Sequence, residues 1–428
     1  MKKLAFFIAL PYVFAAYAVF VTFSDNEWVG SFSRLVGLPA LVVWVISIIA
    51  TGHIRRPHSF HALFLLFIGW SVASLFWTMD PPATVLKCYR LTLFFGLTLL
   101  LWDLTRYRYQ LNLALQVLVF AGYFMALSLF YNYSQGQVSL MDRYSALGIH
   151  PNDVPRLFGI IMPLAWMLAF DYPAKSLVLR VANLAFPVVA TIAMLLTASR
   201  GGLVACLPAF LYLAYTTIRF HPGWRLAFAV IVVAGLLGAT QLDLTRQLGR
   251  ISTITDSLTI GDGANGRFDI WAAGIREFSL RPVFGVGSNA YGEATRGYAL
   301  EKQEDGTSLY AHNTYLSVLV ETGVVGFLLF LGILTVVFRA LRVTPKPQKY
   351  AWYASISVWA IGCITSTYED KAQTWLMLII YILSVNVLEQ VPVTEEGSLK
   401  WTWFGPRLVK PGENVTIGGI SVLPRALP

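Results

Sequence analysis

An arginine and a histidine mark the longest polar stretch of this otherwise apolar chain, one type suited to holding an anion and the other to moving a proton. The stretch runs from about Asp243 to Ala311 and holds Asn265-Gly266-Arg267-Phe268-Asp269-Ile270-Trp271. It leads straight into His312-Asn313-Thr314-Tyr315-Leu316, and Glu321-Thr322-Gly323-Val324-Val325-Gly326 then opens another apolar run. Between Arg267 and Leu280, Phe268, Trp271, Ile275 and Phe278 recur at helical spacing. Asn265 is a candidate N-cap, and Arg281-Pro282 is a stop, because the residue before proline is pushed out of the helical region. One apolar, aromatic-rich face predicts a short helix lying on the outer membrane surface. A cation at a helix N-terminus opposes the macrodipole unless it faces an anion. For Arg267 that anion is Asp269, Asp262 or a ligand phosphate drawn to the helix end. His312 is of a type that titrates near neutrality and suits a general base, although a lone interfacial histidine is more often structural.

Other charges fall where an apolar chain should avoid them. Arg200 sits in Thr197-Ala198-Ser199-Arg200-Gly201-Gly202, a short turn between two apolar runs. It either snorkels to the interface or uses the space beside two glycines to approach a ligand. Lys87 and Arg90 are three residues apart, hence on one helical face, and at that depth they must face a cavity or a counter-ion; an anionic lipid headgroup would fit. With Arg143, Arg156 and Arg200 they suggest an outward-facing cationic chamber. Glu321, an intramembrane carboxylate about two turns beyond His312, is a functional candidate by default but would equally pair with an arginine.

These residues are positioned by a membrane-spanning scaffold. Hydrophobic residues make up 56% of the 428 and charged residues 13%, half the charge of an ordinary soluble chain, and the mean hydropathy is +0.61. Bilayer crossings need about 20 apolar residues each. Twelve runs qualify, near 4–23, 35–51, 60–78, 83–101, 110–131, 155–170, 177–197, 202–218, 226–242, 313–338, 350–366 and 374–391. The expected fold is therefore an all-α polytopic membrane protein of about twelve transmembrane helices, with the 243–311 segment outside, between the ninth and tenth spans. Residues 1–392 form the bundle, and the Pro- and Gly-rich stretch 393–428 reads as a poorly ordered cytoplasmic tail. Lysines and arginines concentrate in alternate short loops, at Arg55-Arg56, Arg106 with Arg108, Lys175, Arg219 with Arg225, and Arg339 to Lys349. The opposite loops, 78–82 and 367–373, hold almost none. Both termini are thereby assigned to the cytoplasm, and the net charge of +9 reads as a topology signal rather than a nucleic-acid footprint. Cys88, Cys206 and Cys363 lie far apart inside apolar runs, which gives neither a disulfide framework nor metal spacing. No His/Cys cluster, Asp-x-Asp pair or Gly-Lys-Ser/Thr loop is present, and Glu369-Asp370 reads as an isolated pair. Neither a metal nor a cofactor is expected, and a donor would have to carry its own leaving group.

In order and spacing, Ser199-Arg200-Gly201-Gly202, Gly266-Arg267-Phe268-Asp269-Ile270-Trp271, Arg281-Pro282-Val283-Phe284-Gly285-Val286-Gly287, His312-Asn313-Thr314-Tyr315-Leu316 and Glu321-Thr322-Gly323-Val324-Val325-Gly326 resemble the O-antigen ligase and polymerase family of bacterial envelope glycosyltransferases. The resemblance covers about 190–335, and Arg143 with His150-Pro151-Asn152 is a weaker feature upstream. It implies a fold of the lipid-linked glycosyltransferase (GT-C-like) type in the bacterial inner membrane, with a periplasmic segment capping a cavity. It also implies an undecaprenyl-pyrophosphate-linked glycan as donor and no metal. By this analogy Arg200 and Arg267 bind the pyrophosphate and His312 takes the acceptor proton, giving transfer with inversion. Lys87, Arg90, Arg143, Asn152, Asn313 and Glu321 complete the expected substrate-binding set. Fixed positive charge in a site of low dielectric suits a pyrophosphate leaving group, so the two readings agree. The acceptor stays open: lipid A–core for a ligase, favoured here; another lipid-linked repeat for an O-antigen or exopolysaccharide polymerase; or a protein hydroxyl. A transporter of anionic lipid-linked sugars would explain Lys87, Arg90 and Arg200 but gives no role to the Arg267-to-His312 segment, and a membrane scaffold would need none of these residues.

Overall fold

A backbone in hydrocarbon has no water to bond, so each apolar run must satisfy its own N–H and C=O groups, and each of the twelve is mostly helix over its described residues. The computed structural model describes residues 1–18, 32–138, 143–171, 176–219, 222–240, 242, 265–299, 310–344 and 346–388, with four short strands nearer the C-terminus. The apolar runs form α1 (Lys2–Ala18), α2 (Phe32–Thr51), α3 (Ser59–Ala73), α4 (Pro81–Leu104), α5 (Arg108–Ser134), α6 (Val154–Asp171) and α7 (Leu177–Leu196). They continue with α8 (Arg200–Ala205), α9 (Leu207–Ile218) and α10 (Pro222–Ala239). Past the polar helices α11 (Asn265–Leu280) and α12 (Tyr291–Ala299) come α13 (Thr314–Val343), α14 (Lys346–Gly362) and α15 (Ala372–Leu388). Six helices are long and apolar enough to cross a membrane, namely α2, α3 with its 3-10 extension to Phe76, α4, α5, α7 and α13, and the apolar stretches of α6, α10 and α15 are shorter. The chain is a multi-pass membrane protein; the count of twelve crossings rests on the sequence runs alone. The expected span 202–218 is divided at Cys206 into α8 and α9, where Pro208 withholds an N–H from the helical ladder. The tail, expected to lack order, carries two antiparallel strand pairs, Ser398–Thr402 with Gly405–Val409 and Thr416–Ile417 with Ile420–Ser421, so the all-α description applies to the bundle.

Burial sorts the helices. Around α6, Leu157, Phe158, Ile161, Met162 and Trp166 are enclosed, and around α15 so are Trp375, Leu378, Ile379 and Tyr381; a helix apolar on every side belongs at the centre of a bundle. In contrast α2 turns Val42, Ile46 and Ile49 outward, and α10 does the same with Val230, Val233 and Leu237, as lipid-facing helices should. At the end that the charge pattern assigns to the cytoplasm, the buried Asp103 carboxylate accepts from Lys2, from Trp44 Nε1 at 2.9 Å, from the Arg55 N–H at 2.9 Å and from Arg106 Nη2 at 2.8 Å. One carboxylate thus ties α1, α2, the α2–α3 loop and the foot of α4 together. All three cysteines are buried and free.

At the other end α13 breaks. Gly323 sits at φ 65°, ψ −171° inside it, a conformation open in practice only to glycine. The break frees carbonyls that the segment 282–287 and α3 then meet. Val286 N–H donates to Val320 O at 3.0 Å, Gly287 N–H to Glu321 O at 2.9 Å, and Trp70 Nε1–H to Thr322 O at 2.8 Å. In return Val324 N–H donates to Pro282 O at 2.9 Å. A Cβ on Gly323 would lie 2.1 Å from Val283 O, and one on Gly285 (φ +72°) 2.5 Å from the Glu321 backbone. The two glycine motifs, Pro282 to Gly287 and Glu321 to Gly326, are therefore one interlock seen from its two sides.

The interlock anchors the polar segment. Val286, Ala290, Tyr291, Ala294, Ala311 and Val320 form a small second core, against which Ile270, Phe278 and Leu316 pack. Tyr291 OH donates to Ile270 O at 2.7 Å beside Gly274, where a Cβ would be only 2.3 Å from that hydroxyl. The expected apolar face of α11 is divided: Trp271 and Phe278 are half-buried inward, while Phe268 and Ile275 are exposed. Asn265 falls inside the first turn rather than before it. Asp262 and the rest of 243–264 and 300–309 lie outside the described residues.

Gly323→Ala should lower stability by about 2–4 kcal/mol, since it adds strain at positive φ to a backbone clash. Gly297→Ala, on an open face of α12 with nothing within 4 Å, should be neutral or stabilising by up to about 1 kcal/mol. Thermal unfolding of the two purified variants in detergent checks the contrast.

Candidate active site

Trp271 is the reason Arg267 and His312 share a site. Its Nε1–H donates to Ala311 O at 2.7 Å, clamping the residue before His312, and Arg267 lies one turn back on the same side of α11. His312 takes φ +46°, a left-handed conformation costing about 1–2 kcal/mol in a residue with a Cβ. The next residues hold it there. Asn313 caps α13, its Oδ1 accepting from Tyr315 N–H at 3.0 Å and Leu316 N–H at 3.1 Å. Thr314 N–H donates to Cys363 O at 2.8 Å, Thr314 Oγ1 donates to Ser366 O at 2.8 Å, and Tyr368 N–H donates back to Thr314 Oγ1 at 2.9 Å. The histidine loop is thereby stitched to the α14–α15 loop. The other non-glycine residues at positive φ among those described are Leu147, Ala198 and Asn289, and all lie in loops at this end.

A cavity of about 1220 Å3 opens here, walled by the start of α4, the α5–α6 loop, the α12 region, the head of α13 and the α14–α15 loop. His312, Arg90, Asn152 and Glu321 of the expected set line it. Arg143 reaches it through Asn152: Nη1 donates to Asn152 Oδ1 at 2.8 Å, and Ser199 Oγ donates to the same oxygen at 3.2 Å. Since Ser199 also caps α8, accepting from Gly202 N–H at 3.2 Å, Asn152 places the Arg200 turn at the rim. Gly202 lets α8 approach Pro155, to which a Cβ would come within 2.9 Å, and the open side of Gly201 faces Arg156 Nη2 and Thr365 Oγ1, each 3.8 Å from an added Cβ. Asn313 caps a helix, and neither it nor Arg200, Arg267, Arg143 and Lys87 is among the cavity-lining residues.

Of the two alternatives for Lys87, a cavity or a counter-ion, the structure gives counter-ions from the protein itself in place of an anionic lipid headgroup. The lysine is buried, with Nζ donating to Glu321 Oε2 at 2.6 Å and Glu369 Oε1 at 3.1 Å. Ser317 Oγ contacts both carboxylates, at 3.0 Å from Glu321 Oε1 and 2.8 Å from Glu369 Oε1, and Asn289 N–H donates to Glu321 Oε2 at 2.6 Å. Glu369 is thus no isolated acid. Burial raises its carboxyl to about 7 against the pull of Lys87. Arg90, on the same face of α4, reaches Asp370 at 3.9 Å.

A second cluster was not expected. Asp153 Oδ1 accepts from Arg156 Nη1 at 2.9 Å, Ser366 Oγ at 2.9 Å and Tyr368 OH at 3.2 Å, while Oδ2 accepts from Lys371 Nζ at 2.7 Å. Lys371 and Arg156 hold that carboxyl well below the usual range despite its burial. Loop 367–373, read as nearly bare of lysine and arginine and as holding an isolated Glu369-Asp370 pair, supplies both Lys371 and Glu369; its signal was the consecutive polar run Tyr368-Glu369-Asp370-Lys371 between two apolar helices. His312 itself is lowered to about 4, first by burial and then by Arg267 and His150, so the empty site holds a neutral imidazole. Burial also lowers Arg267 from its ordinary value, with Arg156 adding to it, and His150 is lowered by burial.

Fold and site define a multi-pass membrane protein with a polar cavity at one end of its helices, where a neutral histidine lies among paired carboxylate, guanidinium and ammonium groups. The O-antigen ligase family model matches residues 185–331, a stretch that holds Arg200, Arg267, His312 and Glu321. No curated protein matches the chain. Over that stretch, about a third of the chain, the protein is similar to O-antigen ligases.

Lys87→Met should cost about 3–5 kcal/mol, because it leaves two buried carboxylates without their cation. Adding Glu369→Gln should recover part of the loss. Melting temperatures of the single and double variants in detergent decide between this internal ion pair and a lysine reserved for ligand.

Proposed function

We propose that the chain is an O-antigen ligase-type glycosyltransferase. It moves a glycan from undecaprenyl pyrophosphate to lipid A–core on the periplasmic face of the inner membrane, with inversion and without a metal. The observation that carries the reading is the neutral His312 on the cavity wall under the influence of Arg267, with the Ser199-Arg200 turn bonded to the cavity-lining Asn152 and Arg156 bonded to the cavity-lining Thr365. Pyrophosphate on the sugar brings negative charge that these cations match, and an acceptor hydroxyl beside His312 meets an imidazole able to take its proton. The hydroxyl oxygen attacks the anomeric carbon from the face opposite the pyrophosphate, the glycosidic C–O bond to phosphate breaks, and undecaprenyl pyrophosphate leaves with the electron pair. The proton passes to His312. Guanidinium forks at Arg200 and Arg267 hold the departing oxygens, Asn152 and Arg90 line the wall, Arg143 holds Asn152 in place, Asn313 caps the helix beside His312, and Glu321 fixes Lys87 and the Asn289 turn.

His312→Ala should abolish transfer to lipid A–core, by about 10²–10⁴ in rate, while donor binding persists, since the base acts in the transition state. Purified protein supplied with undecaprenyl-pyrophosphate glycan and either lipid A–core or further donor tests this. Lengthened donor chains in place of lipid A–core product would make the enzyme a polymerase, and donor movement across a vesicle membrane without transfer would make it a transporter. The lowered His312 also sets a sign. Its basic form exists above the folded-state value, so the acid limb of kcat/KM, which reports free enzyme, should lie near pH 4 rather than 6.5. The limb of kcat should lie higher, because bound diphosphate favours the imidazolium.

Arg200→Lys and Arg267→Lys should each reduce transfer about tenfold or more with little change in melting temperature, since an ammonium cannot reproduce the planar fork. Full activity in both lysine variants would remove the two arginines from the donor site.

A further inference from the structure

On the function just proposed, we infer that Lys371 is a further diphosphate-binding residue, held on Asp153 when the site is empty and turned to the donor phosphates when it is full. Lys371 lines the same cavity as His312, His150 and Asn152. Its side chain keeps 23% of its exposure, whereas that of Arg156, the other cation on Asp153, keeps 2%. The two cations bind different oxygens of the carboxylate, Arg156 on Oδ1 and Lys371 on Oδ2. Withdrawal of Lys371 therefore leaves Asp153 with the Arg156 charge and with the hydroxyls of Ser366 and Tyr368, so no buried carboxylate is stranded. Arg156 has no such freedom: it is enclosed, with Nη2 also donating to Thr365 Oγ1 at 2.6 Å. The cluster of one carboxylate and two cations carries a surplus positive charge, and the cavity-facing member is the one that can move.

The other carboxylates lining the cavity have donors of their own: Glu321 is taken up by Lys87, Asp370 has Arg90 at 3.9 Å, Glu293 has Arg296 at 3.2 Å, and Asp80 caps α4 by accepting from the Ala83 N–H at 3.1 Å. Lys371 also stands with its Nζ 4.8 Å from the centre of the Tyr368 ring, a contact that keeps the ammonium near the cavity wall as it changes partner. The loop that carries it is bonded to Thr314 on both sides of Ser366, so its distance from His312 is fixed.

The experiment measures binding of inorganic pyrophosphate, and of undecaprenyl pyrophosphate, to the full chain in nanodiscs, beside transfer kinetics. Lys371→Met should weaken both ligands on the order of tenfold to a hundredfold and raise KM for donor more than it lowers kcat. Lys371→Arg should restore most of the affinity. The variant Asp153→Asn/Lys371→Met separates binding from mere charge balance, because it removes the carboxylate together with its counter-ion and so also guards against misfolding of the single variant. Affinity still lost in the double variant is the expected result. Affinity regained there would make Lys371 a structural counter-ion and overturn the inference. Lys371→Met with wild-type affinity would overturn it while leaving the glycosyltransferase reading intact, and a wild-type chain that neither binds pyrophosphate nor transfers glycan would overturn both.

Discussion

The break in α13 is the constraint from which the site follows. A helix inside a membrane can depart from its ladder only where protein groups bond the carbonyls it abandons, and Gly323 abandons those of Val320, Glu321 and Thr322. Val286, Gly287 and Trp70 supply the donors. The segment that follows α11 is therefore pinned at membrane depth by the needs of the backbone and not by its own side chains. Everything attached to it is placed as a consequence: the Asn289 turn against Glu321, the second core under α12, and α11 with Trp271 reaching back to the residue before His312. The polar segment is located by a gap in the hydrogen-bond ladder of an apolar helix.

Two ion clusters then divide the wall of the cavity, and one short loop supplies both. Glu369 enters a cluster of two carboxylates around Lys87, and two residues later Lys371 enters a cluster of two cations around Asp153. The first is short of positive charge, the second has a surplus. Because the loop bends between Glu369 and Lys371, the opposite imbalances are held apart by protein geometry instead of cancelling. On the proposed function, a substrate with a charged diphosphate and neutral sugars meets a cavity that already has a direction.

Much of the scaffold was legible because hydrophobicity with helical length is a strong signal: all twelve runs are mostly helix over their described residues, and Arg281-Pro282 ends α11 as proline chemistry requires. The motifs of the matched segment were legible as residue types, with Arg200, Arg267 and His312 brought to one end of the bundle. Less of the electrostatics was. Lys87 read as a cation awaiting an anionic lipid, but its partners Glu321 and Glu369 lie 234 and 282 residues away, and nothing in the local spacing announces them. Asp153 is hidden for the same reason, since its donors come from a loop more than 200 residues on. Local pattern fixes a helix; it does not say which loops meet. The apolar face of α11 failed differently: helical spacing found Phe268, Trp271, Ile275 and Phe278, but the acceptor Ala311 O, which draws Trp271 inward, belongs to another element.

The charges around His312 weaken it as a base, since Arg267 and His150 join burial in disfavouring a proton on it. On the proposed function, a diphosphate beside it offsets those cations and makes the same imidazole a stronger base when the donor is in place. The histidine backbone takes no part in that change, being held at φ +46° by the Thr314 bonds on one side and the Trp271 clamp on the other. Strain of this kind persists only where the surroundings over-determine it. Here they do so from two sides at once, the α14–α15 loop and α11.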